Sequence, residues 1–252
     1  MDSVFFSGSI SIKTLPEKII NSINQLSING DFRVLVGDAA GFDTLLQEYC
    51  NRIGFKNVTV YSISKKPRNF IEIFNLEFVP VPDEIKGERK RQTFKDRKMT
   101  LDSDISFVVW DEKSTGSYNN IIRAINNEKK IRVFSTKVQA PINDVSEENI
   151  TRIYQNTNGL TTSDLLNILY KNGIKEFETA KQLNEYLLKN NCVTKNSEGK
   201  ISTYKTCNEN FSFDEYYRGK VSGVKYKFEL AKHLINEFKL NDSKKNYKNI
   251  RG

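Results

Sequence analysis

The stretch from Leu101 to Phe134 constrains the fold more than any other. Ile105-Ser106-Phe107-Val108-Val109-Trp110 is an apolar run of strand length, bounded by Asp104 and Asp111. A polar turn follows, Asp111-Glu112-Lys113-Ser114-Thr115-Gly116-Ser117, which breaks any period. A helix is then expected through Asn127, with Ser117 as its N-cap, and a second buried strand to Phe134. A turn of this kind sits at the carboxyl end of a strand and the amino end of a helix. Open α/β sheets bind ligands there, and unpaired helix N–H groups favour anions.

The preceding residues repeat the unit. Val4-Phe5-Phe6 is a short strand closed by Ser7-Gly8-Ser9, and Pro16-Glu17 suits the first turn of a helix with Ile19, Ile20, Ile23 and Leu26 on one face. Arg33 to Val36 is a second strand, followed by the turn Gly37-Asp38-Ala39-Ala40-Gly41-Phe42-Asp43 and a helix bearing Leu45, Leu46, Tyr49 and Ile53. Val58 to Ile63 is a third strand. This alternation predicts an α/β fold with a Rossmann-like parallel sheet and right-handed crossovers. Ser64 to Gln92 interrupts the pattern and reads as a long loop, with a short helix expected near Lys95 to Met99. In a parallel sheet the turns at Gly8-Ser9, Gly37–Asp43 and Asp111–Ser117 converge on one edge and form a shared pocket. Arg68, Arg97 and Lys98 are candidate phosphate-binding cations there, and Asp38, Asp43 and Asp111 candidate acids.

The order Gly8-Ser9, Val36 to Asp43, Arg68-Asn69, Lys95 to Met99 and Trp110 to Gly116 resembles the SLOG superfamily over residues 1–136. That Rossmann-like group contains the Smf/DprA proteins, the LONELY GUY phosphoribohydrolases and the YpsA-like proteins, and the YpsA-like branch is the most similar. The resemblance implies binding of a nucleotide or nucleotide-derived ligand without a further cofactor. Gly8, Ser9, Gly37, Asp38, Gly41, Asp43, Arg68, Asn69 and Asn120 would line the pocket, Ser114, Thr115, Gly116 and Ser117 would hold phosphate, and Arg97-Lys98 matches an Arg-Lys pair of the LONELY GUY enzymes. Self-association is implied too, since SLOG proteins are often dimers or larger. The LONELY GUY enzymes cleave an N-glycosidic bond through a turn ending in glutamate. Here Asn119 and Asn120 follow the turn, and an amide cannot serve as general base. A glycosidase or glycosyl transferase would therefore use Asp43 or Asp111. Glu112 stands where the family's turn has glycine.

Residues 137–159 are polar and read as a linker with one short helix near Glu147 to Tyr154. Residues 160–252 are expected to form a smaller, mainly helical, winged-helix-like module. Its helices start at Thr161-Thr162-Ser163-Asp164 and near Phe177 to Ala180, a hairpin spans Cys192 to Tyr204, and a basic tail follows a helix from Phe228 to Phe238. The module is loosely similar to small C-terminal modules of phage antirepressor proteins, which implies an accessory binding role. Its aromatics Phe211, Phe213, Tyr216, Tyr217 and Tyr226 alternate with Arg218, Lys220, Lys225 and Lys227, so nucleic acid is a candidate partner alongside the nucleotide. The net charge of +8 fits anionic partners. DNA binding of the Smf/DprA type is thus an alternative function.

Other classes are disfavoured. No apolar run approaches the roughly 20 residues of a membrane span, and the first residues do not read as a signal peptide. Cys50, Cys192 and Cys207 are far apart and odd in number, which fits a reducing, cytoplasmic setting without disulfides. With one histidine, His233, a histidine-based metal site or triad is not expected.

Overall fold

A computed structural model of the protein describes residues 2–29, 32–203, 211–217 and 219–249. The chain divides into two compact units, Met1–Ile153 and Tyr154–Gly252.

The first unit is built on β1 (Asp2–Gly8), α1 (Glu17–Asn29), β2 (Phe32–Val36), α2 (Phe42–Arg52), β3 (Val58–Ser62), β4 (Asn75–Phe78), α3 (Glu88–Asp102), β5 (Ile105–Trp110), α4 (Thr115–Asn126), β6 (Lys130–Ser135) and β7 (Ala140–Pro141). These strands form one seven-stranded sheet in the order β4-β3-β2-β1-β5-β6-β7. All neighbours are parallel except β6 and β7. The central strand β1 pairs Val4 with Val34 on one side and with Ile105 on the other.

Apolar runs without polar alternation are buried on both faces, as parallel strands must be. Val4, Phe6, Val34, Val36 and Val109 pack with Ile19 and Ile23 of α1 and Leu46 and Tyr49 of α2. Phe5, Leu35 and Tyr61 point the other way and pack with Met99 and Phe94 of α3. Each such side chain contributes roughly 1.5–3 kcal/mol of burial.

Three local readings are corrected. The segment expected as a loop over Ser64 to Gln92 contains β4, which pairs parallel to β3 at the sheet edge. It is short and half-exposed, so its apolar pattern is weak, and Pro80 and Pro82 follow it. Helix α3 starts at Glu88, well before Lys95, because its first turns are helix-forming but carry almost no apolar period. The N-cap of α4 is Ser114 and not Ser117.

Helix α5 (Glu147–Asn158) spans the boundary between the units. The second unit contains α6 (Thr162–Lys171), α7 (Ala180–Lys189), β8 (Val193–Lys195), β9 (Ile201–Thr203), β10 (Ser212–Tyr217), β11 (Lys220–Tyr226) and α8 (Phe228–Asn249). Capping boxes start α6 and α7, Thr161 with Asp164 and Thr179 with Gln182. Strands β8–β9 and β10–β11 are antiparallel pairs. Leu165, Leu169, Leu183, Leu187, Tyr226 and Leu230 form the core. Of the interleaved aromatics, Tyr226 is fully buried and Phe211 packs on this core, while Phe213 and Tyr216 are exposed. Tyr204, Cys207 and Arg218 lie outside the described residues.

Gly41 joins the β2 turn to the chain leaving β1. Its φ is +76°, and a Cβ there would lie 2.4 Å from the carbonyl oxygen of Ile10. Backbone cannot yield as a side-chain tip can. Gly41→Ala should therefore destabilise the first unit by about 1–3 kcal/mol, measured by urea unfolding followed through Trp110, the sole tryptophan. An unchanged midpoint would refute this account of the turn.

Candidate functional site

The direction in which successive strands are laid down across the sheet reverses between β1 and β5. From β1 the chain passes through α1 to β2 on one side, and from β5 through α4 to β6 on the other. The turns beyond β1 and β5 diverge, which opens a crevice at the carboxyl edge. A cavity of about 450 Å³ lies there, lined from the β1, β2 and β5 turns, by Arg68, and by α3 and the start of α4.

The β5 turn is organised by Asp111. One carboxylate oxygen accepts the N–H groups of Lys113 at 3.0 Å and Ser114 at 2.6 Å. The other accepts the Ser11 hydroxyl at 2.8 Å. Burial works to raise the Asp111 pKa, but these bonds outweigh it and hold it below the usual range. Asp111 thereby pulls the chain into its helix at Thr115, one turn earlier than Ser117 would. Its carboxylate is engaged in the turn and does not line the cavity, so its candidacy as a catalytic acid loses its geometric basis. Glu112 adopts a left-handed backbone with φ 60°. The cost of roughly 1–2 kcal/mol is offset by its side chain, which accepts the Ser135 hydroxyl at 2.6 Å and pairs with Lys137 at 3.3 Å.

The amino end of α4 faces the cavity through Ser114, Thr115, Gly116 and Ser117. The Ser9 hydroxyl lies 2.7 Å from that of Ser114 and 3.5 Å from that of Ser117, tying the β1 and β5 turns together. Hydroxyls beside the first-turn N–H groups and positive dipole end of a helix make an anion-favouring surface. Asn120 lines the cavity from the same helix, and its carbonyl oxygen accepts Arg123 at 2.6 Å.

Behind the β2 turn lies a buried ionic centre. Asp38, 1% exposed, accepts Arg68 at 2.6 Å, the Ser62 hydroxyl at 2.8 Å and the Arg68 backbone N–H at 3.2 Å, and pairs with Lys95 at 3.3 Å. Burial alone would raise its pKa, but the Arg68 hydrogen bond and the Lys95 charge hold it at about 2. Asp38 does not reach the cavity; it aims Arg68, which does. Asn69 also supports from behind, donating to the Asp38 carbonyl at 3.0 Å. Gly41 is structural as described above. Gly8 and Gly37 line the cavity directly. A Cβ on Gly37 would lie 2.4 Å from an Asp43 carboxylate oxygen and 2.9 Å from the Lys95 ammonium, so the absent side chain is the space those groups occupy. Asp43 lines the cavity and accepts the Ala39 N–H at 3.2 Å. Burial dominates its titration and, against the Lys95 charge, pushes its pKa up to about 7.

Helix α3 corrects the expected cations. Its cavity face carries Arg89, Gln92, Lys95, Asp96 and Met99. Residues turn about 100° each around a helix axis, so Arg97, two beyond Lys95, points roughly 200° away. Arg97 instead shares a separate groove with Arg123 and Asn119. Lys98 pairs with Asp102 at 2.8 Å. The polar and charged lining residues missed by sequence reading are Lys95, Asp96, Arg89, Gln92 and Ser7. For the first four, the period of Phe94 and Met99 toward the sheet would have identified the correct face.

No family model matches the sequence, and no curated protein matches it. Among solved structures the chain is similar to DNA processing protein A from Helicobacter pylori, described with a unique single-stranded DNA binding mode. The identity is 18%, over 75% of this chain and 80% of that chain, with a TM-score of 0.39.

Asp43 sets a pH dependence. Below its ordinary 3.8, folded and unfolded chains both carry the proton. Between 3.8 and about 7 the folded chain keeps a proton that the unfolded chain has lost, so this group lowers stability as pH rises. Asp43→Asn should remove that decline. Its stability relative to the parent should rise between about pH 4 and about pH 8 by on the order of 2 kcal/mol, taking about 1.4 kcal/mol per pKa unit and discounting for local relaxation. Parallel pH profiles for parent and variant, followed by Trp110 fluorescence, would disprove the shift.

Proposed function

We propose that the first unit binds a nucleotide or nucleotide-derived ligand at the carboxyl edge of its parallel sheet. One observation carries this reading. A cavity at the β1/β5 reversal is lined both by the hydroxyl-bearing amino end of α4 and by Arg68 and Arg89. Phosphate needs that combination of N–H donors, hydroxyls and forked cations. The SLOG resemblance of residues 1–136 points the same way. Binding without cleavage is favoured over N-glycosidic hydrolysis, because Asn119 and Asn120 follow the α4 turn and the Asn120 oxygen is engaged by Arg123. The ligand should raise the melting temperature and be recovered intact by chromatography from a panel of nucleotides, dinucleotides and cyclic nucleotides. Release of free base would convert the reading to that of an enzyme acting through Asp43. Arg89→Ala should weaken binding about tenfold, as loss of one charge-assisted contact does. Arg97→Ala, on the far side of α3, should leave it unchanged. No shift with any member of the panel would refute the reading.

A second reading, single-stranded nucleic acid, is supported by the net charge of +8 and by the basic run Lys86 to Arg91, which brings Arg89 to the cavity. The Helicobacter protein named above is described as binding single-stranded DNA. Affinity for a short single strand should then fall steeply as salt rises. A flat response from low to moderate salt would eliminate it.

A further inference from the structure

A second recess of the first unit lies beside the cavity and has a different chemistry. Helices α3 and α4 bound a groove of about 530 Å³. Arg97, Arg123, Asn119 and Asn126 line it together with Leu101 and Ile122, and no carboxylate lines it among the described residues. The cavity carries both Asp43 and Asp96.

The polar groups of the groove are accessible and hold spare donors. Arg97 is exposed, and its side chain makes no hydrogen bond or ion pair with a described residue. Asn126 is exposed, and Asn119 and Arg123 are partly so. Arg123 donates to the Asn120 oxygen at 2.6 Å, which uses one of the five N–H groups of its guanidinium. Burial chiefly, and the Arg97 charge with it, works against the Arg123 cation, while Asp96 works for it. An anion between the two guanidinium groups would relieve their repulsion. Leu101, 63% exposed, adds an apolar surface beside them.

Helix phase joins this groove to the cavity. At about 100° per residue, Arg89, Thr93 and Arg97 follow one another at steps of roughly 40° around α3, each about one turn further along it. Arg89 lines the cavity, and Thr93 and Arg97 line the groove. On α4 the cavity residue Asn120 holds the groove residue Arg123. A ligand with a single anionic group meets one recess only. A strand of repeating phosphates can seat one nucleotide in the cavity, continue past Arg89 to Arg97 and Arg123, and lay its sugars or bases against Leu101. We infer that the groove between α3 and α4 holds the phosphodiester backbone of a single-stranded nucleic acid passing beside the cavity. This rests on the second reading given above and names the surface that the strand uses.

The test is fluorescence anisotropy of the full chain with a short labelled oligothymidylate across a range of salt, using the parent, Arg97→Ala and Lys98→Ala. Lys98 is the neighbouring cation, paired with Asp102 and outside the groove. Arg97→Ala should weaken the oligonucleotide severalfold and flatten its logarithmic salt dependence by about 0.7, the value of one phosphate contact on a single strand. Lys98→Ala should change neither by as much. The exposed Arg97 side chain supports nothing in the fold, and an unchanged melting temperature of the variant checks this. An unchanged affinity and slope in Arg97→Ala would overturn the inference and leave single-strand binding intact. So would equal losses in Arg97→Ala and Lys98→Ala, which mark a general field effect. Polyglutamate binding as tightly as the oligonucleotide, with the same loss in Arg97→Ala, would overturn it in favour of an acidic peptide. Failure of the parent to bind the oligonucleotide at low salt would overturn the second reading and this inference together.

Discussion

The Asp38 carboxylate, sealed at the end of β2, is the constraint around which the carboxyl edge is assembled. A buried charge is tolerated only when its partners are held in place. Here the partners come from separate parts of the chain: Ser62 ends β3, Arg68 lies on the loop before β4, and Lys95 lies on α3. Satisfying one carboxylate therefore fixes a loop, a helix rotation and the direction of a guanidinium. Arg68 is half-exposed, donates to both Asp38 and Gln92, and lines the cavity. Lys95 serves in both directions as well, balancing Asp38 while its field reaches Asp43 and Asp96.

This arrangement explains why two aspartates five residues apart behave oppositely. Asp38 has more partners than its burial demands and stays ionised far below neutrality. Asp43 has one backbone donor and the nearby Lys95 charge, which together do not offset its burial. Separated titrations of neighbouring carboxyls are a common mark of functional sites. In this protein they arise from how one lysine is shared.

The sheet and its three turns were legible in the sequence because both faces of the strands are buried. Runs such as Phe107 to Trp110 carry that fact in composition alone. The edge strand β4 was not legible, because half-exposed residues lack the apolar signature. The lining of the cavity was legible where it is made of backbone turns: Gly8, Ser9, Gly37 and Ser114 to Ser117 all line it. It failed where it depends on helix phase. Arg97-Lys98 carries conspicuous charge, but the rotation of α3 is set by Phe94 and Met99 in the sheet-facing core. Asp111 was misassigned for a different reason, since a carboxylate that caps its own turn looks like a catalytic one in sequence.

The two ends of the sheet carry a consequence of their own. On one side it stops at β4, four residues long and followed by Pro80 and Pro82; on the other it stops at β7, two residues ending in Pro141. Proline has no N–H to offer a neighbouring strand. A wide parallel sheet would otherwise be a template for adding chains edge to edge, and slow-folding parallel pairing prolongs that exposure. Both margins are thus blunted by short strands and imino residues, a built-in guard against aggregation independent of whatever the cavity binds.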